Sequence, residues 1–185
     1  MTGEQILVLG GARSGKSLFA QGLAAGRGER VLFVATLVAG DEEMSRRIAQ
    51  HRRDRPAGWR TIEAPTGAAD ALSQHIGDAE VVLLDCLTLM VYNMVGDIDD
   101  GDIDAAAAAV ATEVGRLLDT AQRTGVTLIV VSNEVGMGLV PPYPMGRAYR
   151  DLLGRANQLV AQRADRVYLM VAGLPLVLKA PAHED

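Results

Sequence analysis

Gln5-Ile-Leu-Val-Leu9 runs directly into Gly10-Gly-Ala-Arg-Ser-Gly-Lys16-Ser17, after which Leu18, Phe19 and Leu23 recur at helical spacing. The first five residues are a short apolar run closed by two glycines, the pattern of a buried strand. The next eight fit G-x-x-x-x-G-K-[ST], and they lie between that strand and a helix read over Ser14–Ala25, where such a loop belongs. Its glycines permit a backbone turn that aims several N–H groups inward, and the helix N-terminus adds partial positive charge. Gly10, Gly11, Ala12, Arg13, Ser14, Gly15, Lys16 and Ser17 are therefore expected to cradle the phosphates of ATP or GTP. Lys16 has the length to reach the β- and γ-phosphates, and the Ser17 hydroxyl can ligate Mg²⁺. Arg13 admits two readings, a solvated side chain or a further phosphate contact.

Outward from this loop, apolar runs and helical patterns alternate. Strands are expected at Val31–Ala35, Thr61–Glu63, Val81–Leu84, Val126–Ser132 and Arg166–Val171, with Leu176–Leu178 as an edge. Helices are expected at Asp41–Arg53, Ala68–Ile76, Ile103–Thr124 and Ala148–Arg163, with a loop through Val140–Pro144. The strands are continuously apolar, so both of their faces are covered. That implies an α/β fold with a mostly parallel sheet flanked by helices. No repeat or linker interrupts the chain, and residues 1–185 are expected to form one domain with a frayed tail over Ala180–Asp185.

Composition narrows the function. The 185 residues carry a formal net charge of −5 and are 49% hydrophobic but only 4% aromatic. A basic excess and stacking aromatics, the marks of a nucleic-acid binder, are both lacking. No apolar run reaches the ~18 residues of a membrane span. Cys86 is the single cysteine, which excludes an internal disulfide and suits a reducing compartment, so a cytoplasmic enzyme is expected. Of 18 basic residues only Lys16 and Lys179 are lysines, so the lysine in the loop stands out.

Three further segments carry chemistry. Asp85, closing Val81–Leu84, stands where a carboxylate at the end of a neighbouring strand would orient Mg²⁺ or its waters, and the metal side is the favoured reading; the alternative is a cap for a helix at Leu87–Val95. In a helix over Asp41–Arg53, Met44, Arg47, Ile48 and His51 share a face. His51 is then either a surface residue or a neutral imidazole among Arg47, Arg52, Arg53 and Arg55, poised as a nucleophile. Finally, Ser132-Asn133-Glu134-Val-Gly-Met-Gly138 follows Val126–Val131 at the carboxyl end of a parallel strand, where loops line the ligand crevice; it is a binding loop or an ordinary strand-to-helix turn. Arg147, Arg150 and Asn157 lie on the next helix; they hold an anionic substrate or pair with surface acids.

Taken together, these segments resemble the bifunctional adenosylcobinamide kinase/adenosylcobinamide-phosphate guanylyltransferase family of cobalamin biosynthesis. The likeness rests on the phosphate loop, Ala35-Thr36, Asp41-Glu-Glu-Met44, Arg47-Ile-Ala-Gln-His51, Arg55-Pro56, Trp59 and Thr61-Ile-Glu63. It continues through Leu84-Asp-Cys-Leu-Thr88, Asn93, Asn133–Gly138, Val140-Pro141 and Gly146-Arg147 to Asn157-Gln158. The resemblance implies a RecA-type P-loop NTPase fold assembled as a homotrimer. It implies phosphorylation of adenosylcobinamide by a nucleoside triphosphate, ATP or GTP. It also implies transfer of GMP from GTP, through a histidine, to the phosphate just made. Carried over by motif, that histidine is His51. The implied guanine-nucleotide contacts are the phosphate loop, Val34, Ala35, Thr36, Arg52, Arg53, Asp54, Arg55, Glu63 and Asp85. Asn133, Glu134, Arg147, Arg150 and Asn157 remain the candidates for the second substrate.

Overall fold

A computed structural model describes residues 3–37, 56–96 and 102–181. Among them, seven strands form one sheet: β1 (Gln5–Gly10), β2 (Val31–Ala35), β3 (Arg60–Glu63), β4 (Val81–Asp85), β5 (Thr127–Val131), β6 (Arg166–Val171) and β7 (Leu174–Lys179). Their order is β3-β2-β4-β5-β1-β6-β7. All neighbours pair in parallel except β6 and β7, which are antiparallel. The mostly parallel sheet expected from the apolar runs is therefore present.

The described helices are α1 (Lys16–Ala25), α2 (Ala68–His75), α3 (Leu87–Gly96), α4 (Ile103–Thr124) and α5 (Pro144–Arg163). Successive strand residues point to opposite faces. Ile6, Val8, Phe33, Leu83 and Ile129 consequently pack with Ala20 and Ala24 of α1. Leu7, Leu32, Val34, Leu84 and Val130 pack on the other face, with Leu72, Met90, Val114, Leu118 and Leu153 from the remaining helices. Helix α4 is capped at both ends. The Asp102 carboxylate accepts from the Ala105 N–H at 2.8 Å, and Gly125 takes the left-handed conformation that lets the chain leave the helix. Lys179, at the end of β7, donates to the Ala161 and Gln162 carbonyls at 3.2 and 3.1 Å, satisfying the last turn of α5.

Several boundaries differ from the sequence expectation. The first helix begins at Lys16, because Gly15 occupies the left-handed region (φ 91°) as its N-cap and Ser14 belongs to the loop. Helix α5 begins at Pro144 rather than Ala148; the proline that reads as a loop residue fills the first helical turn, where its missing N–H costs nothing. Strand β7 runs from Leu174, two residues before the expected edge. The expected helix over Asp41–Arg53 and the end of the tail, 182–185, lie outside the described residues.

Candidate functional site

The strand registers set Glu63, Ala35, Asp85, Val131 and Val8 side by side across β3, β2, β4, β5 and β1. The carboxyl ends of five parallel strands thus finish at one level, and the phosphate loop, Thr36, Cys86 and the Ser132–Glu134 segment all leave from it. Asp85 corrects one expectation. Its strand is not the hydrogen-bonded neighbour of β1, because β5 lies between them. Two strand spacings separate the two, roughly 10 Å.

The loop itself is held by close backbone approaches. Gly10 has φ 154°, and a Cβ there would lie 2.6 Å from Ser14 Oγ and 2.7 Å from the Met170 carbonyl, so only glycine fits. Arg13 is held at φ 55° and is exposed, with Gly11 and Ala12, at the loop's tip. Lys16 is only 8% exposed. Its Nζ donates to the Gly11 carbonyl at 2.6 Å and lies 3.5 Å from Ser14 Oγ, spanning the loop from base to tip. Desolvation lowers its pKa from the ordinary lysine value, opposed by attraction to Cys86 where that thiol is ionised and to the Asp85 carboxylate. Lys16 therefore lies within the field of Asp85 despite the intervening strand. Burial, reinforced by Asp85, pushes the Cys86 thiol up to about 11, which keeps it protonated and unreactive near neutral pH.

Thr36 is fully buried and its hydroxyl is spent on the neighbouring strand. It donates to the Cys86 carbonyl and accepts from the Cys86 N–H, both at 2.7 Å. Asn93 on α3 donates to the Thr36 carbonyl and to that of Pro65, each at 3.0 Å. These bonds fix the ends of β2 and β4 relative to each other. Val34 lies in the core and Glu63 at the exposed end of β3.

A buried polar chain supports the loop after β5. Ser132 Oγ donates to Asn157 Oδ1 at 2.6 Å, and Asn157 Nδ2 donates to the Asn133 carbonyl at 3.1 Å. Thr88 Oγ1 accepts the Asn133 N–H at 2.7 Å, and the Tyr149 hydroxyl donates to the Thr88 carbonyl at 3.1 Å. The Glu134 N–H then donates to the Gly10 carbonyl at 3.1 Å, tying this loop to the phosphate loop. Asn157, read from sequence as facing substrate or surface acids, instead lies 6% exposed beneath the loop with both ends of its amide occupied. Arg147 donates to the Pro141 and Pro142 carbonyls at 3.1 and 2.9 Å, bracing the segment that precedes its helix. Arg150 differs from both, for its Nη1 is buried and has no hydrogen-bond acceptor among the described residues.

Replacing Asn157 with Leu is expected to leave the Asn133 carbonyl without its side-chain donor and the Ser132 hydroxyl with only its 3.5 Å contact to Thr88 Oγ1. The cost is about 3 kcal/mol. A thermal melt should fall by roughly 6–12 °C for a chain of this size. A melt within a degree of the parent would show that the network contributes nothing.

Thr88 and Ser132 lie in segments that the sequence singles out, but their part in this buried network, and that of Tyr149, does not show there; a polar group interrupting an apolar segment was the available signal. His51, Arg52, Arg53, Asp54 and Arg55 lie outside the described residues.

Comparison with known proteins bears on this geometry. The family described as cobinamide kinase / cobinamide phosphate guanyltransferase matches residues 6–178. The bifunctional adenosylcobalamin biosynthesis protein CobU of Escherichia coli is 41% identical over 180 residues, covering 94% of this chain and 99% of that protein. The bifunctional adenosylcobalamin biosynthesis protein CobP of Pseudomonas aeruginosa is 44% identical over 173 residues, covering 94% and 96%. The Salmonella typhimurium CobU is 39% identical over 180 residues, covering 94% and 99%.

Proposed function

This chain belongs to the cobinamide kinase / cobinamide phosphate guanyltransferase family, and from that premise we propose that it carries out both reactions of that name. In the first, the aminopropanol hydroxyl of adenosylcobinamide attacks the γ-phosphate of ATP or GTP, a P–O bond forms, and the nucleoside diphosphate leaves. In the second, His51 attacks the α-phosphate of GTP and pyrophosphate leaves. The phosphate of adenosylcobinamide phosphate then displaces the histidine, giving adenosylcobinamide-GDP. Dividing nucleotidyl transfer between two displacements replaces one difficult step with two easier ones.

The observation that carries this reading is Lys16, a buried ammonium drawn across a glycine loop and lying within the field of Asp85. It supplies positive charge where a chain of net charge −5 must receive a triphosphate. The Ser17 hydroxyl and Asp85 carboxylate are hard oxygen donors of the kind Mg²⁺ takes. Among the described residues no group of three or more His, Cys, Asp or Glu could hold a metal. Two such donors would leave the remaining positions on the ion to nucleotide phosphates and waters. When bound, Mg²⁺ would neutralise charge on the phosphates. We assign nucleotide contacts to Gly10–Ser17, Val34–Thr36, Arg52–Arg55, Glu63 and Asp85. Of these, Thr36 acts through backbone placement, its hydroxyl being already engaged.

The second substrate is assigned to the Asn133–Arg150 segment. Met137, Leu139, Val140, Tyr143 and Met145 are all exposed there, beside a loop anchored to Gly10. An apolar, adaptable surface of this kind suits a broad macrocycle. The Arg150 N–H, unpaired among the described residues, suits an anionic group, while Asn157 and Arg147 shape the segment from below.

The test is covalent capture. The protein is incubated with Mg²⁺ and GTP labelled at the α-phosphate, then denatured. A label lost in acid and stable in alkali supports a guanylyl-histidine. Absence of label in a protein that binds GTP leaves a plain kinase as the better reading.

We also propose a homotrimer. Every residue of β7 is exposed, with Leu174, Leu176, Val177 and Leu178 each more than half accessible on an open sheet edge. Bare apolar edges pair with other chains. Sedimentation should give three times the 19.6 kDa chain mass, and Leu176→Asp should shift it to one. A monomeric parent refutes the assembly. Described helices include none long and apolar enough to cross a membrane. Nucleoside triphosphate substrates and a lone cysteine fit action in the cytoplasm.

A further inference from the structure

The turn between β6 and β7 touches both ends of the phosphate loop. Ala172 (φ 52°) and Gly173 (φ 84°) form it, and two consecutive positive φ values are the signature of a tight two-residue hairpin. From one arm of this hairpin, the Met170 carbonyl oxygen lies 2.7 Å from where a Cβ on Gly10 would be. From its tip, Gly173 Cα stands 3.3 Å from the Cβ position of Gly15. Most directly, the Gly173 N–H donates to the Ser14 carbonyl at 3.0 Å.

The last contact has a geometric consequence. In a trans peptide the C=O and N–H of one unit point in opposite directions. Holding the Ser14 carbonyl toward the hairpin therefore turns the Gly15 N–H away from it. The Ser14–Gly15 peptide needs such a hold, because Gly15 has no Cβ and tolerates either sign of φ. With Gly15 so permissive, the unit can flip. Flipped, it would present a carbonyl dipole where the phosphates need a donor.

We infer that Gly173 is a positioning residue for the phosphate loop: its main-chain N–H fixes the Ser14–Gly15 peptide so that the Gly15 N–H faces the bound phosphates. The hairpin is then part of the nucleotide site through its main chain. This rests on the reading of Gly10–Ser17 as that site.

A Cβ on Gly173 would meet nothing within 4 Å among the described residues, so substitutions there act through backbone conformation and not through a clash. Valine refuses a positive φ, whereas asparagine accepts it and keeps the N–H. Binding of inorganic tripolyphosphate and of GTP is measured for the whole protein, Gly173→Val and Gly173→Asn, beside the KM and kcat of both reactions. Gly173→Val should weaken both ligands about 10-fold and raise the nucleotide KM to match, with kcat at saturation and the KM for the corrinoid close to the parent values. Gly173→Asn should restore binding to within about twofold. Equal binding by Gly173→Val and the parent overturns the inference, as does an equal loss in both variants. A parent that does not bind tripolyphosphate at all overturns instead the reading of the loop.

Should Gly173→Val fail to fold, the unsubstituted protein decides the matter by NMR. Scalar coupling across the Gly173 N–H to Ser14 carbonyl bond should be present with and without tripolyphosphate, and the Gly15 amide proton should move downfield on binding. Missing coupling or an unmoved Gly15 amide overturns the inference.

Discussion

Lys16→Ala is expected to lower the turnover of both reactions by about 10²–10³-fold, the usual effect of removing one preorganised charged donor from a transferring phosphoryl group. The nucleotide KM should rise as well, because the ammonium is in place before substrate arrives, bonded to Gly11 O across the loop. Fold stability should move the other way. Lys16 is 8% exposed and its pKa is lowered chiefly by desolvation, so in the free protein its charge is a cost to folding. The variant should therefore melt at the parent temperature or slightly above it. A large loss of melting temperature would mean that Lys16 holds the loop together and that the activity loss is secondary. The pH dependence follows from the same shift. Only the charged amine attracts phosphate, and its pKa in the free protein lies below the ordinary 10.5. Nucleotide affinity should thus decline as pH rises through that lowered value, earlier than for an exposed lysine, with a proton taken up on binding. Dissociation constants measured from pH 7 to 10 check this.

His51→Ala is expected to separate the two activities. Guanylyl transfer should fall by about 10⁴-fold or more, because the covalent route is removed and not merely weakened. The covalent label from α-labelled GTP should disappear with it. Phosphorylation of the corrinoid needs the phosphate loop but no histidine nucleophile, so its rate should stay within about threefold of the parent. A variant that loses both activities equally would make His51 a part of nucleotide binding. One that retains the label would place the nucleophile elsewhere.

Much of this was legible in the sequence for reasons that differ by region. The strands β1, β2, β4 and β5 read directly, because a strand covered on both faces must be apolar throughout. The phosphate loop read directly, because few backbone paths can turn N–H groups onto an anion and they demand glycine at fixed places. Strand order did not read. Nothing local to Val81–Asp85 or Thr127–Val131 says that β5 enters between β4 and β1, since that choice is made by crossover connections and by which helices fill which face. Asn157 misled for a related reason. An amide on an amphipathic helix looks the same whether it meets solvent, substrate or the underside of a loop. The difference lies in Ser132, 25 residues away, whose hydroxyl it accepts from. The Ala172-Gly173 turn could have been found between its two apolar runs, but its grip on Ser14 spans the whole chain and leaves no mark in the sequence.

The chain's two lysines have practical weight for anyone who must label or immobilise it. Lys16 Nζ is bonded to the Gly11 carbonyl, and Lys179 Nζ to two carbonyls that end a helix. Neither is a bystander amine. Acylating reagents, amine-coupled sensor surfaces and lysine crosslinkers would have to displace a main-chain acceptor at either side chain, in one case inside the phosphate loop. Attachment through the single thiol fares no better, for Cys86 follows Asp85 and holds its proton to about pH 11. Handles for this protein are best introduced by substitution at exposed arginines or at its ends, leaving its native amines and thiol alone.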